Sequence, residues 1–146
     1  MPTRSNIHYR NTSLNVSAKE LEDLFRAADL GGRVGDKIRR AFLNSQQVSL
    51  AYDGDRLIGA SRAISDGEYH AFIYDVAVHP DYQKQGVGQQ MLQRLLAALP
   101  VWRIMLRADE DVQAFYGRAG FMPCGDIMAL HQPEHLYDPT PTGEAS

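Results

Sequence analysis

Asp75-Val76-Ala77-Val78-His79-Pro80-Asp81-Tyr82-Gln83-Lys84-Gln85-Gly86-Val87-Gly88 reads as the end of a buried strand, a loop broken by proline, and a glycine-rich entry to a helix. Upstream, Ala71-Phe72-Ile73-Tyr74 extends the strand into a nearly unbroken apolar run, as expected of a central strand covered on both faces, and Asp75 alone interrupts it. Downstream, Val87, Met91, Leu92, Leu95, Leu96 and Leu99 mark the buried stripe of a helix that Pro100 ends. Glycines at such an entry remove side-chain bulk, so that successive backbone N–H groups converge on an anion while the helix dipole favours it. Phosphate is the natural guest. The spacing is neither Gly-x-x-x-x-Gly-Lys-Ser/Thr nor Gly-x-Gly-x-x-Gly, so the Walker and dinucleotide patterns fail on their own terms.

Beyond Pro100, Val101-Trp102-Arg103-Ile104-Met105-Leu106 predicts a strand parallel to the Phe72–Val78 strand, because strand, helix and strand in series make a right-handed crossover. Asp109–Arg118 predicts a short helix carrying Val112, Phe115 and Tyr116 and broken by Gly120, and Phe121 to Leu130 predicts one or two last strands. In the other direction, Val48, Leu50 and Tyr52 alternate along a strand from Gln47. Asp53-Gly54-Asp55 supplies a hairpin turn, Leu57–Ile64 a second strand, and Ser65-Asp66-Gly67 the next turn. Further upstream, Ser17 and Glu20 have the spacing of a capping box, and Val16 with Leu21 that of a hydrophobic staple. Leu21, Leu24, Phe25 and Ala28 then recur on one helical face until Gly31-Gly32, and a second helix follows Asp36 with Ile38 and Phe42 inward.

The chain has 146 residues, 44% hydrophobic and 23% charged, near the usual size for one hydrophobic core. Residues 1–137 are expected to form a single domain, and 138–146, with nothing to bury, a disordered C-terminal tail. Fifteen Lys+Arg against 18 Asp+Glu give a net charge of −3, too acidic overall for a protein that lives on nucleic acid or an anionic membrane. Met1–Asn6 lacks the apolar core of a secretory signal and no run approaches a membrane span. A lone Cys124 excludes an intramolecular disulfide and fits a reducing compartment, so the cytoplasm is the expected location.

Gln83-Lys84-Gln85-Gly86-Val87-Gly88, directly after a Val-x-His-Pro strand end, resembles the Gln/Arg-x-x-Gly-x-Gly/Ala signature of the Gcn5-related N-acetyltransferase (GNAT) superfamily. Ala114-Phe115-Tyr116-Gly117-Arg118-Ala119-Gly120-Phe121 is similar to that family's second hallmark, an aromatic-rich short helix followed by Gly-Phe. The resemblance covers roughly Gln47 to Met122, and Ile64-Ser65-Asp66-Gly67 followed by Tyr74 to Gln83 is similar to small bacterial and plastid members that include arylalkylamine, serotonin-type, acetyltransferases. It implies an α/β (α+β) fold: a mixed, mostly antiparallel central sheet flanked by helices and splayed between strands four and five, here Ala71–Val78 and Val101–Leu106. Acetyl-coenzyme A would lie in the gap as cosubstrate. The loop and helix entry, Gln83, Lys84, Gln85, Gly86, Val87, Gly88 and Gln89, would hold its pyrophosphate, and the strand edge of Val76, Ala77 and Val78 would pair with its pantetheine amides.

The implied reaction is acetyl transfer to a primary amine of a small molecule, with no metal. The alternatives are a protein lysine or N-terminal acetyltransferase and a non-catalytic acyl-coenzyme A sensor; the family also allows a homodimer. An amine attacking a thioester must be neutral, so a base or water relay has to remove a proton. Asp75 and Asp109 are the carboxylates available, set against a structural role for Asp75 and an N-cap for Asp109. Tyr116 matches the family's tyrosine that meets the departing coenzyme A sulfur, with core packing as its alternative. Tyr9, Tyr52, Tyr74 and Trp102 are candidates for an acceptor pocket or for core. His79 is positional, Cys124 is a packing residue, and His131, Glu134, His135 and Asp138 lack the regular frame a metal site needs.

Overall fold

Ser17 opens the first helix as its spacing predicts. In the computed structural model, which describes residues 6–136, Ser17 Oγ accepts from the Glu20 N–H at 3.0 Å and Glu20 Oε1 from the Ser17 N–H at 2.9 Å. Helix α1 (Ala18–Ala27) buries Leu21, Leu24 and Phe25, and Val16 and Leu21 sit together in the core as a staple should. The helix does not run on to Gly31-Gly32. It stops earlier because Asp29 takes a left-handed conformation, φ 62°, and the Leu30 N–H caps the Phe25 carbonyl while the Asp29 N–H caps that of Arg26. This is a Schellman ending with Asp where Gly is usual. Helix α2 (Gly35–Leu43) follows and buries Ile38 and Phe42.

Strands β1 (Ile7–Arg10), β2 (Gln47–Asp53), β3 (Arg56–Ser65), β4 (His70–Val78) and β5 (Arg103–Leu106) form one sheet in that order. Every pairing is antiparallel except β4 with β5, which is parallel and carries helix α3 (Val87–Ala97) in its crossover. Strand β1 is too short, at four residues, for its alternation of Ile7 and Tyr9 to announce it. Phe121 to Leu130 forms no strand, contrary to expectation: Met122, Met128 and Leu130 are 79–94% exposed, so this run has no face to bury and no sheet to join. Nor is Asp109–Arg118 one helix, since a single 3-10 turn at Glu110–Val112 precedes helix α4 (Gln113–Gly117). The expected tail, 138–146, lies outside the described residues. Among the described residues no helix is long and apolar enough to cross a membrane.

Helices α1 and α2 cover one face of the sheet and α3 the other. Val48, Leu50, Tyr52, Ala60 and Ala77 join Phe25 and Phe42 on the first face; each such large side chain contributes about 1.5–3 kcal/mol of burial. Ala51, Ile58, Ala63, Ala71 and Ile73 meet Val87, Met91, Leu92 and Leu95 on the second. Strand β2 is therefore buried on both sides, not on alternate residues alone. Gly59 sits under α3, where an added Cβ would approach Met91 Cε to 3.1 Å and Ala51 Cβ to 3.2 Å. Replacing Gly59 with Val is expected to destabilise the protein by about 1–3 kcal/mol through overpacking. An unchanged denaturant midpoint would show that α3 is not seated this closely.

Candidate functional site

Strand β4 changes face partway along. Arg62 pairs with Asp75 and Ala63 with Ile73, so Tyr74 is an extra residue, a β-bulge. Before the bulge, Ala71 and Ile73 pack beneath α3; after it, Ala77 packs beneath α1 and α2. The pairing with β5 ends at the same place, with Ile73 opposite Leu106. From Tyr74 to Val78 the side of β4 that faced β5 has lost its partner strand. This is the expected splay, and its cause is local. The bulge adds twist, and four-residue β5 cannot follow.

The loop at the far end of the parted strand is tied down on several sides. Gln83 Nε2 donates to the Val78 carbonyl at 3.0 Å and Gln85 Nε2 to the Asp81 carbonyl at 3.2 Å. The Tyr82 hydroxyl donates to the Asp53 carboxylate, which raises its pKa, and the Arg56 guanidinium lies 5.7 Å from the centre of its ring. His79 Nδ1 accepts from the Asp81 N–H, which fits a positional role. Lys84 (φ 63°) and Gly86 (φ 87°) both adopt left-handed backbone, and no side chain caps α3. The first intrahelical bond is Gln90 N–H to Gly86 C=O, so the N–H groups of Val87, Gly88 and Gln89 have no helical acceptor. A Cβ added at Gly88 would lie 3.6 Å from both Val78 Cγ2 and the Phe115 ring. Strand end, helix start and α4 thus converge on one cleft. Its free amides and bare floor fit a diphosphate joined to an extended arm that bears amides.

Asp75, just past the bulge, is only 3% exposed and points to the α1–α2 face. Arg62 Nε donates to one of its oxygens at 2.6 Å and Arg33 Nη2, from the connection between α1 and α2, to the other at 2.8 Å. Tyr116 on α4 is partly buried against Phe115 and Phe121. Burial raises its pKa first and the negative charge of Asp75 raises it further. The charge of Asp75 is thus felt at Tyr116, while Asp109 is exposed and its side chain makes no capping bond. Tyr74 is 51% exposed and stacked on Phe72, whereas Tyr52 is core. Tyr9 lies by α3 beneath Arg94, and Trp102 is on the outer surface, 72% exposed.

Arg33 and Arg62 had not been singled out from sequence. An acidic residue in an apolar strand calls for a cation, and the β3–β4 register offers Arg62; Arg33 arrives only through the tertiary fold. Cys124, expected to be packed, is exposed, with its sulfur between Arg103 and Asp126. A concavity of about 850 Å³ lies on the outer side of β5 under residues 119–127, away from the parted edge, and Tyr116 borders it too. The free backbone donors lie instead where the end of β4, the start of α3 and Phe115 of α4 come together. Among the described residues no three His, Cys, Asp or Glu side chains converge as a metal site, and Asp138 lies outside those residues.

The pattern of the acetyltransferase (GNAT) domain matches residues 44–123. The uncharacterized N-acetyltransferase ycf52 of Pyropia yezoensis is 34% identical over 121 residues, which cover 78% of this chain and 70% of that protein. Serotonin N-acetyltransferase 2, chloroplastic, of Oryza sativa subsp. japonica is 31% identical over 119 residues, covering 77% of this chain and 60% of its own. A crystal structure described as a putative acetyltransferase from Deinococcus radiodurans superposes with a TM-score of 0.82 at 22% identity. It covers 96% of this chain and 99% of that one, a likeness of fold.

Asp75 holds two guanidinium groups that would otherwise be left partly buried without a counter-charge. Asp75→Ala is expected to destabilise the protein by roughly 3 kcal/mol, the low end for a broken buried pair, because Arg33 keeps access to water. Chemical denaturation reads this directly, and a loss within error of zero would mean that the pair contributes no net stability.

Proposed function

Because the chain belongs to the GNAT acetyltransferase family, we propose that it transfers an acetyl group from acetyl-coenzyme A to a primary amine of a small molecule, by direct attack in a ternary complex. The observation that carries this reading is the convergence of the parted β4 edge, the uncapped N-terminus of α3 and helix α4, whose Phe115 reaches Gly88 and which carries Tyr116. The name of the rice relative supports a small amine as acceptor. Bound acetyl-coenzyme A supplies an activated acyl carbon, at which an N–C bond forms as the C–S bond breaks.

The residues of this chain divide the work along the cleft. Backbone N–H groups from Val87 to Gln89, with the left-handed turn at Lys84 and Gly86, hold the pyrophosphate. The freed edge at Val76 and Ala77 pairs with the pantetheine amides, and an N–H there polarises the thioester carbonyl. The Val78 carbonyl is already engaged by Gln83, which makes it a support of the loop. Tyr116 keeps its proton well into alkaline solution, because burial and Asp75 both disfavour the phenolate, and so has a proton to give the departing sulfur. A thiol of pKa about 8.5 is already a tolerable leaving group, so this donation assists the reaction without being indispensable.

The ammonium form of the acceptor, with a pKa near ~10, must lose a proton before it attacks. Both oxygens of Asp75 are occupied by guanidinium donors, and accepting a proton would cost charge-assisted hydrogen bonds. We therefore assign Asp75 to positioning, and the proton leaves through water at the open mouth beside Tyr74. Asp109, exposed at the start of its 3-10 turn and without a capping bond, takes no part in this scheme.

Tyr116→Phe should lower kcat by about 10–100-fold while leaving acetyl-coenzyme A affinity within two-fold. Thiol release and calorimetry check the two halves. Since the phenol is pushed above its ordinary range, wild-type kcat should show no alkaline decline from this group below about pH 10; a decline centred near neutrality that Phe abolishes would contradict the assignment. Gly86→Glu brings negative charge and a Cβ to a left-handed position, and should weaken acetyl-coenzyme A binding by at least about ten-fold. Unchanged affinity would refute the phosphate cradle.

A further inference from the structure

With the cosubstrate arm along Val76 and Ala77, the acceptor must reach the acyl carbon from the α1–α2 face, where the bulge sets out Phe72, Tyr74 and the Asp75 cluster. Rings of Phe72 and Tyr74 stack with centroids 4.6 Å apart, and Tyr74 is half exposed. The Arg62 guanidinium lies 5.1 Å from the centre of the Tyr74 ring, a cation closing one end of an aromatic shelf. Arg62 is nearly spent: it binds Asp75 and Ser45, and its side chain is 12% exposed. Arg33 is not. Its Nη2 holds Asp75 Oδ1 and its guanidinium lies 5.9 Å from the centre of the Phe25 ring, yet its side chain is 35% exposed, so part of it remains open to solvent beside Asp75.

Within the Asp75 cluster the charges do not cancel. Arg33 and Arg62 bring two positive charges against the single carboxylate of Asp75. Of the acidic residues of α1, Glu22 and Asp23 are engaged with Arg26, Asp23 also with Lys19, and Glu20 with the Ser17 N–H. A surplus cation beside the reaction point repels polyamines and lysine-rich chains, and it favours the neutral form of a nearby amine over the ammonium. It also attracts an anion, and a planar guanidinium with a free edge is suited to a carboxylate.

We propose that the acceptor is an amine that itself carries a carboxylate, bound by the outward edge of Arg33, with an apolar or aromatic body laid on the Phe72–Tyr74 shelf. This rests on the acetyltransferase reading above and adds the acceptor's chemical class. Arg33 is then a specificity-determining residue, and its contact with Asp75 sets the angle at which its free edge faces the acceptor.

The test uses the purified full chain with saturating acetyl-coenzyme A and two acceptors of one skeleton, L-phenylalanine and L-phenylalaninamide, with spermidine as a polycation. Thiol release should favour the acid over both. Arg33→Gln should lower the acid-to-amide ratio of kcat/KM by about ten-fold or more, mainly through KM, and Arg33→Lys should restore part of it. Calorimetry of the acid against coenzyme A-loaded protein should show the same loss of affinity. An unchanged ratio in Arg33→Gln, or a wild-type preference for spermidine, overturns the carboxylate proposal while leaving acetyl transfer intact. Absence of thiol release with every amine, together with unaltered acetyl-coenzyme A binding in Gly86→Glu, overturns both.

Discussion

Backbone amides inside a folded chain must find hydrogen-bond partners, and two parallel strands that part after four rungs leave a row of them facing a gap. Leaving such groups dry and unpaired costs several kcal/mol, so the gap must admit either water or a ligand with matching groups. The rest of the site follows from this constraint. The bulge at Tyr74 creates the parting, α3 begins where the freed edge ends, and α4 leans over both through Phe115. The freed edge, the uncapped amides and α4 all lie along one backbone line.

The same bulge explains why a carboxylate can occupy the middle of an apolar strand. In a regular strand Asp75 would share a face with Ile73, beneath α3 and among Leu92 and Leu95. The extra residue moves it to the opposite face, within reach of Arg62 on the neighbouring strand and Arg33 above. One backbone irregularity therefore does two things. It opens the sheet on its edge and turns a buried charge toward its partners.

Much of this was legible in the sequence, for reasons that differ by element. The capping box at Ser17, the Gly54 turn and the stripe of α3 are local, since each is decided by residues within a few positions of one another. The start of α3 was legible because Gly86 and Gly88 flank it, and the short α4 with Tyr116 because it lies in a second hallmark at fixed distance. Illegible were the ending of α1 at Asp29, which depends on a left-handed Asp, and the change of face in β4, since the burial of Ala71, Ile73, Asp75 and Ala77 mimics a simple alternation. The strands expected beyond Phe121 were misjudged because the run is apolar in composition, yet Met122, Ile127, Met128 and Leu130 stay exposed instead of closing a sheet edge. Arg33, forty-two residues from Asp75, belongs to no local pattern at all.

The Tyr82–Asp53 hydrogen bond fastens the loop between β4 and α3 to the β2–β3 hairpin. A loop anchored in this way has already given up its conformational freedom during folding, so capture of a nucleotide tail incurs little further entropic penalty. The protein thereby moves part of the cost of recognition from each catalytic cycle to the single event of its own folding.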